Sequence, residues 1–352
     1  MRGRRRRTAV CLGAAVALTA SCATSPGEAT RPTTSAPTSS ASASGDHGVP
    51  SARQPSTATS SPASVLTAPC GWRTTPPATY GSVVWIWLEN RSYDQVIGSS
   101  SMPHLNSLAR RCGLATNSHA VTHPSLPNYL AAVSGSTGGV TSDCGPTSCP
   151  QRRTTLFDQV DAAHRSWKTY AQGMRTDCST QSTSPYVPKH NPAVYFPGLR
   201  ASCRTDDVPM GTTTAGPLRT ALASGTMPSF ALVVPGLCDD GHNCSDAQPD
   251  SWIATWLPRF LTSPQYLSGQ MVVVITYDEG SGGSAGRRCA TSGASDCRIA
   301  TVVISPTTPP GTRDATSVSH YSLLRTTEDA LAIRTHLGAA ARVAGMGAAF
   351  RL

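Results

Sequence analysis

Lysine is nearly absent from this chain: Lys168 and Lys189 are the only two in 352 residues. The formal charge of +9 therefore comes from arginine, and five arginines, Arg2 and Arg4 to Arg7, crowd the first seven residues. No acidic residue stands among the first 22, so removing that leader leaves +4. No basic run with interleaved aromatics survives in the remainder, which excludes the footprint of a nucleic-acid partner. Aromatic residues make up 6% of the chain, which argues against a surface that sinks into lipid. No CxxC pair occurs, which counts against a structural zinc site. No internal repeat is evident.

What is present begins with an export signature. Behind the arginines runs an apolar stretch, residues 9–20, followed by small residues, the order of a leader that is removed on export. Thr19-Ala20-Ser21-Cys22 resembles a bacterial lipobox, with Leu18 one place further from Cys22 than usual. It predicts a membrane tether through a lipidated Cys22, with plain secretion as the alternative; the residues after Arg6-Arg7 fit a twin-arginine signal poorly. Residues 23–68 are almost entirely Ser, Thr, Ala and Pro. Such a segment has too little apolar surface to offset the entropy of ordering, and reads as a disordered tether. One folded domain is expected over 69–352, as a monomer.

Removing Cys11 and Cys22 leaves ten cysteines in that domain, an even number that suits disulfides in an exported chain. Neighbours in sequence suggest Cys144–Cys149, Cys178–Cys203, Cys238–Cys244 and Cys289–Cys297, leaving Cys70 with Cys112. Spacing alone leaves that connectivity open.

Periodicity predicts strands at 83–88, 113–117, 166–171, 229–234, 271–277 and 299–304, and helices at 102–111, 128–134, 156–163, 250–261 and 321–337. Strands alternating with helices imply an α/β fold with a central, mostly parallel sheet sandwiched between helices.

Two of these strands end alike. VVWIWLEN, residues 83–90, is apolar on both faces, as a strand covered on both sides must be, and then Glu89 and Asn90 appear. VVVITYDEG, residues 272–280, repeats the plan and ends in Asp278 and Glu279. Ligands of open α/β sheets bind outside the carboxyl ends of the strands, which places these groups for a metal or a phosphate. A polar exit into a turn accounts for one such end, but two paired acids buried together are costly without a cation.

Other polar clusters fall between the strands. In THPSLPNYLAAVSG, residues 122–135, Ser125 precedes an apolar helical stretch. An N-cap with Pro127 in the first turn explains it, and so does a hydroxyl placed where a helix N-terminus welcomes a phosphoryl group. In KHNPAVYF, Lys189 and His190 are cations suited to phosphate oxygens, or else an incidental surface loop. In VPGLCDDGHNC, Asp239, Asp240 and His242 crowd four residues in a way that looks like metal ligation, although a polar turn closed by a disulfide is the alternative. His320 precedes a predicted helix and either serves the site or satisfies the helix end. His104, His119, His123, His164 and His336 are assigned to structure or surface.

In this order, ENRSYDQVIG, SLPNYLAAVSG, KHNPAVYF, CDDGHNC, VITYDEG and SHYSLLRTTEDAL resemble the bacterial phosphoesterase family that contains acid phosphatases and non-specific phospholipases C, within the alkaline phosphatase-like superfamily. The resemblance spans residues 82–337. It implies a hydroxyl nucleophile and metal-binding acids and imidazoles at the carboxyl edge of the sheet. SLPN is similar to the Thr-x-Pro-Asn segment that carries the nucleophile in related enzymes, which assigns the role to Ser125 over Thr122. Glu89-Asn90 and Asp278-Glu279 correspond to the family's acid–amide and late acidic pairs. One departure stands out: the family often has Asn or Asp where this chain has Gly236, which leaves the ligand choice among Asp239, Asp240 and His242 open.

The chemistry expected from these residues is hydrolysis of a phosphoric ester with one or two divalent metal ions. Glu89, Asp278 and Glu279 would hold a metal beside Ser125, which attacks phosphorus to give a phosphoseryl enzyme. Asn90, Lys189 and His190 would bind the phosphate oxygens. His242 or His320 would protonate the leaving group or join Asp240 at a second metal. An exported phosphomonoesterase is the leading expectation, with a small phosphate ester as substrate. A phospholipase C acting on a phospholipid, and a non-catalytic envelope binding protein, are the alternatives.

Overall fold

The computed structural model describes residues 61–289 and 293–352; the expected leader, Cys22 and most of the 23–68 tether lie outside the described residues. The strands follow in chain order as β1 (Ser82–Leu88), β2 (Gly113–His119), β3 (Trp167–Ala171), β4 (Asp207–Pro209), β5 (Phe230–Val234), β6 (Met271–Tyr277), β7 (Arg298–Ile304), β8 (Arg313–Asp314) and β9 (Val318–Ser319).

The alternate residues of β1 enter two different cores. Val84, Ile86 and Leu88 pack on one face of the sheet, and Val83, Trp85 and Trp87 on the other. An unbroken apolar run is stable only when both faces are covered, and β1 is buried at every position. Helices Pro103–Arg111, Pro217–Ser224 and Ala247–Leu261 cover the first face. Helices Ser125–Ser134, Leu156–Ala162 and His320–Ala330 cover the second. The fold is therefore α/β, a central, mostly parallel sheet between helices.

Strand order is β4-β3-β5-β1-β6-β7-β2-β8, with β9 also pairing β2. β1 lies parallel to β5 and β6, and only β7 runs against its neighbours, antiparallel to both β6 and β2. The carboxyl ends of β1, β2, β5, β6 and β9 consequently share one edge of the sheet, and the amino end of β7 joins them there. Glu89, Asp278 and the loop after β5 meet because of this arrangement.

All five expected disulfides are present: Cys70–Cys112, Cys144–Cys149, Cys178–Cys203, Cys238–Cys244 and Cys289–Cys297. Cys70–Cys112 closes the longest loop, 42 residues, and so constrains the unfolded chain most.

Several element boundaries depart from the sequence reading. The helix expected from 128 starts three residues earlier, at Ser125, with Pro124 in the capping position. Pro127 therefore sits in the first turn, where its missing N–H costs nothing. The helix expected at 250–261 begins at Ala247. The helix expected at 321–337 spans only His320–Ala330. It ends because Ala332 adopts a left-handed conformation, φ 58°, which lets the Ile333 N–H turn back to the Glu328 carbonyl. Without a glycine at that position, the sequence carries no stop signal.

Candidate active site

The helix Ser125–Ser134 is buried along its whole length and presents three polar side chains from its first turns to the strand edge. Ser125 and Tyr129, four residues apart, lie on one face of it. Both grip Glu89: Ser125 Oγ donates to Oε2 at 3.1 Å, and the Tyr129 hydroxyl donates to Oε1 at 2.5 Å. Trp87, two residues before Glu89, packs its ring 4.5 Å from Tyr129 and 4.7 Å from His320, so the strand itself braces both. At the far end of the helix Gly135 has φ 68°, and a Cβ there would fall 2.1 Å from the Leu337 carbonyl oxygen. Glycine is required for the chain to leave the helix at this point.

Asn90 adopts a left-handed conformation, φ 55°, which asparagine tolerates. The turn aims its backbone N–H at Asp278 Oδ1, 2.9 Å away, while its amide donates to Glu89 Oε2 at 3.3 Å. Burial, then the Asp278 and Asp240 carboxylates, raise the Glu89 carboxyl well above its ordinary range.

On the other side of Glu89 stands His190, with Nε2 3.3 Å from Glu89 Oε1 and Nδ1 3.3 Å from Asp240 Oδ2. Burial, then the adjacent Lys189 ammonium, push its imidazole down to about 3, so the ring is neutral. Burial pushes Asp240 up to about 7. Asp240 Oδ1 accepts the His242 N–H at 2.7 Å. Lys189 Nζ lies 3.2 Å from His242 Nε2, and His242 Nδ1 lies 2.7 Å from Asn243 Oδ1. With a protonated lysine as donor, Nε2 accepts and the imidazole proton sits on Nδ1.

Glu279 turns away from Glu89. Asn128 Nδ2 donates to its Oε2 at 3.1 Å, and His123 Nδ1 lies 3.2 Å from the same oxygen. Burial, then Asp278, push Glu279 up to about 7. His123, expected to be a structural or surface residue, is buried and faces Glu279 and Asp296. Asp296 reaches this edge because β7 runs in reverse, and Arg287 pairs with it at 3.1 Å.

The remaining predicted residues sort themselves by contact. Asp239 faces outward, accepting from Gln172 at 2.5 Å and Gln248 at 2.6 Å, so only Asp240 of that pair enters the site. Gly236 has no room for a side chain: a Cβ would come 2.8 Å from Pro185. Thr122 Oγ1 bonds the His123 carbonyl rather than Glu89. His320 Nε2 lies 2.6 Å from the Asp278 carbonyl, to which it donates, and burial lowers its imidazole to about 4. Among the described residues no hydrogen bond or ion pair joins His320 to Asp240 or His242.

Tyr129, Asn128, Asp143 and His123 received no role at the site from the sequence. Asn128 and Tyr129 had a local signal, their helical spacing of three and four residues from Ser125. Asp143 sits on a loop 18 residues beyond Ser125 with nothing in the sequence to link the two.

Three buried carboxylates, Glu89, Asp278 and Asp240, surround a neutral imidazole. Asp278 Oδ2, Asp240 Oδ2 and His190 Nε2 are buried without a hydrogen bond. Buried polar atoms are normally satisfied, and oxygen and imidazole donors left open together suit a divalent cation. Ligand atoms of Glu89, His190 and His242 also lie within 4.8 Å of one another.

A buried helix and a cluster of acids meet at the carboxyl edge of a mostly parallel sheet, an alkaline phosphatase-like α/β fold. Solved structures share that fold: an alkaline phosphatase superfamily protein from Vibrio parahaemolyticus matches with TM-score 0.50 and 12% identity, over 74% of this chain and 68% of that one. A 2-O GAG sulfatase matches with TM-score 0.51 and 10% identity, over 77% and 74%. The Phosphoesterase family model matches residues 99–334, and the chain belongs to that family. A phosphatidylinositol-3-phosphatase of Mycobacterium tuberculosis is 31% identical over 71% of this chain and 76% of its own length. An acid phosphatase of Aspergillus fumigatus is 28% identical over 68% of this chain and 52% of its own. The chain thus spans about half the length of the curated fungal acid phosphatases it matches.

Proposed function

We propose that the protein is an exported, metal-dependent phosphoric ester hydrolase, a phosphomonoesterase acting through a phosphoseryl intermediate. The observation that carries the reading is the Ser125 hydroxyl hydrogen-bonded to Glu89 among buried acids with open oxygens.

Glu89, Asp278 and Asp240, with His190, are the residues that would hold a divalent metal. Such an ion stabilises a serine alkoxide and offsets the negative charge of the phosphoryl group. Ser125 Oγ–H points at Glu89 Oε2, so the hydroxyl is held for loss of its proton as Oγ attacks phosphorus. As the Oγ–P bond forms, the bond to the leaving oxygen breaks. His242 is the group assigned to protonate that oxygen, through Nε2 and with a proton drawn from the Lys189 ammonium in contact with it, because His320 donates its Nε2–H to the Asp278 carbonyl. Asn90 and Lys189 bind non-bridging oxygens, and water then hydrolyses the phosphoserine. Loss of one such charge-stabilising group typically costs roughly 3–4 kcal/mol of barrier.

The name of the mycobacterial relative makes a phosphomonoester carried on a lipid headgroup a substrate to include. Cleavage of an unmodified phospholipid is less favoured, since Leu66 is the one large exposed apolar side chain among the described residues. Export is supported by five disulfides and the arginine-rich leader. No described helix is long and apolar enough to cross a membrane. Mass spectrometry of the mature protein should place its first residue near Cys22 and show whether that cysteine carries lipid.

Turnover of p-nitrophenyl phosphate, bis-p-nitrophenyl phosphate, phosphatidylinositol 3-phosphate and phosphatidylcholine, each with and without chelator, tests the reading. Chelator-sensitive hydrolysis confined to the monoesters is expected. Preferential cleavage of phosphatidylcholine would make the protein a phospholipase C, and inactivity on all four with metal bound would leave a binding protein.

A further inference from the structure

Asp143 already holds two of the groups best placed to receive a phosphoryl group. Its Oδ1 accepts the Leu126 N–H at 3.0 Å, and its Oδ2 accepts from Lys189 Nζ at 2.8 Å. Leu126 directly follows Ser125 and is the second residue of its helix, so this N–H is one of the first-turn donors that have no partner inside the helix. Pro127 offers none. Lys189 is the other cation at this corner, in contact with His242, whose ring lies 5.6 Å from that of His190. His190 Nε2, buried and without a hydrogen bond, faces Glu89 Oε1 at 3.3 Å.

A carboxylate and a phosphoryl group present the same recognition element, two charged oxygens on one atom, to a backbone N–H and an ammonium. Asp143 meets those donors from outside the helix and strand framework. It belongs to the loop between the helices Ser125–Ser134 and Leu156–Ala162, next to the Cys144–Cys149 disulfide, and its side chain is 29% exposed. A partly exposed ion pair of this kind is weak and exchangeable.

We propose that Asp143 is a resident stand-in for the substrate: its carboxylate occupies the Leu126 N–H and Lys189 in the free enzyme, and a phosphomonoester takes both by displacing it. The inference rests on Ser125 as the nucleophile and names the substrate class that the site prefers. A phosphodiester monoanion replaces one negative charge with another at Lys189 and the helix terminus. A monoester dianion brings a second charge to the same donors and gains from the exchange. The returning carboxylate also competes with product phosphate and favours its release.

The alternative is a fixed brace, in which Asp143 caps the helix and orients Lys189 for a ligand bound beside it. The two roles give opposite signs. Inorganic phosphate binding to the full-length, metal-loaded protein is measured by calorimetry for the wild type, Asp143→Asn and Asp143→Ala, together with kcat and KM on the mono- and bis-p-nitrophenyl esters. Asp143→Asn retains an oxygen for the Leu126 N–H and guards against loss of folding, which circular dichroism checks. A displaced stand-in predicts phosphate bound about three- to tenfold more tightly in both variants and a lower KM for the monoester. Equal or weaker phosphate binding in the folded variants overturns the proposal. A wild type and variants that bind no phosphate and cleave no monoester overturn the reading of the site itself, and this inference with it.

Discussion

Ser125 Oγ donates a hydrogen bond to Glu89 Oε2 at 3.1 Å, tying the first residue of a buried helix to the residue that ends the central strand. Glu89 is fully buried and receives a second donor, Tyr129, on its other oxygen. Ser125, Glu89 and Tyr129 are thus one hydrogen-bonded unit built on two rigid elements, which keeps the serine hydroxyl aimed at the carboxylate.

Ser125→Ala should lose nearly all turnover and keep bound metal, whereas Thr122→Ala should retain much of its activity. Quenching in acid and mapping the phosphorylated peptide locates the intermediate. Phosphate on Thr122, or an active Ser125→Ala enzyme, would overturn the assignment. Because Pro124 rather than Ser125 occupies the capping position, the variant should show little of the roughly 1 kcal/mol stability loss that a missing N-cap brings.

Chelation should abolish phosphatase activity and lower the melting temperature, because Glu89, Asp278 and Asp240 would be left buried together without a cation. Calorimetric melting with and without chelator, with metal content determined by elemental analysis, reads both effects. Full activity in a preparation free of metal would give these carboxylates another role.

Tyr129→Phe removes the 2.5 Å donor to Glu89 and leaves a buried carboxylate oxygen open. The expected cost is about 1–3 kcal/mol in denaturant unfolding, with kcat falling more than KM rises. A variant with unchanged kcat and unchanged stability contradicts the orienting role.

Asp207, at the start of β4, provides a pH signature outside the site. Asn191 Nδ2 donates to both of its oxygens at 2.9 Å, and burial pushes its carboxyl from 3.8 up to about 7. The folded protein therefore holds this proton more tightly than the unfolded chain does. Its contribution to stability is fully present below 3.8 and is lost as the pH rises through about 7. Unfolding free energy measured across that window should fall less steeply in Asp207→Asn than in the wild type; equal slopes would show that Asp207 ionises normally.

The strand ends were legible in the sequence because they rest on local patterning. An apolar run that stops at Glu89, or at Asp278 and Glu279, declares both a two-sided core and a polar edge within ten residues. The SLPN segment pointed to Ser125 through its resemblance to the family's nucleophile segment, and four of the five disulfides join cysteines close in the chain, while Cys70–Cys112, 42 residues apart, was the pair left over.

The sequence by itself determined the α/β alternation, the acids at two strand ends and the serine at the start of an apolar helix, since each is a property of consecutive residues. Only the tertiary structure decided which of those groups touch. It turned Asp239 outward and Asp240 inward, set Glu279 against His123 and Asn128, committed His320 to a backbone carbonyl, and brought in Tyr129 and Asp143. These outcomes depend on strand order and on the reversed direction of β7. Contacts such as Asn128 to Glu279, 151 residues apart, are set by that packing and leave no trace in local spacing.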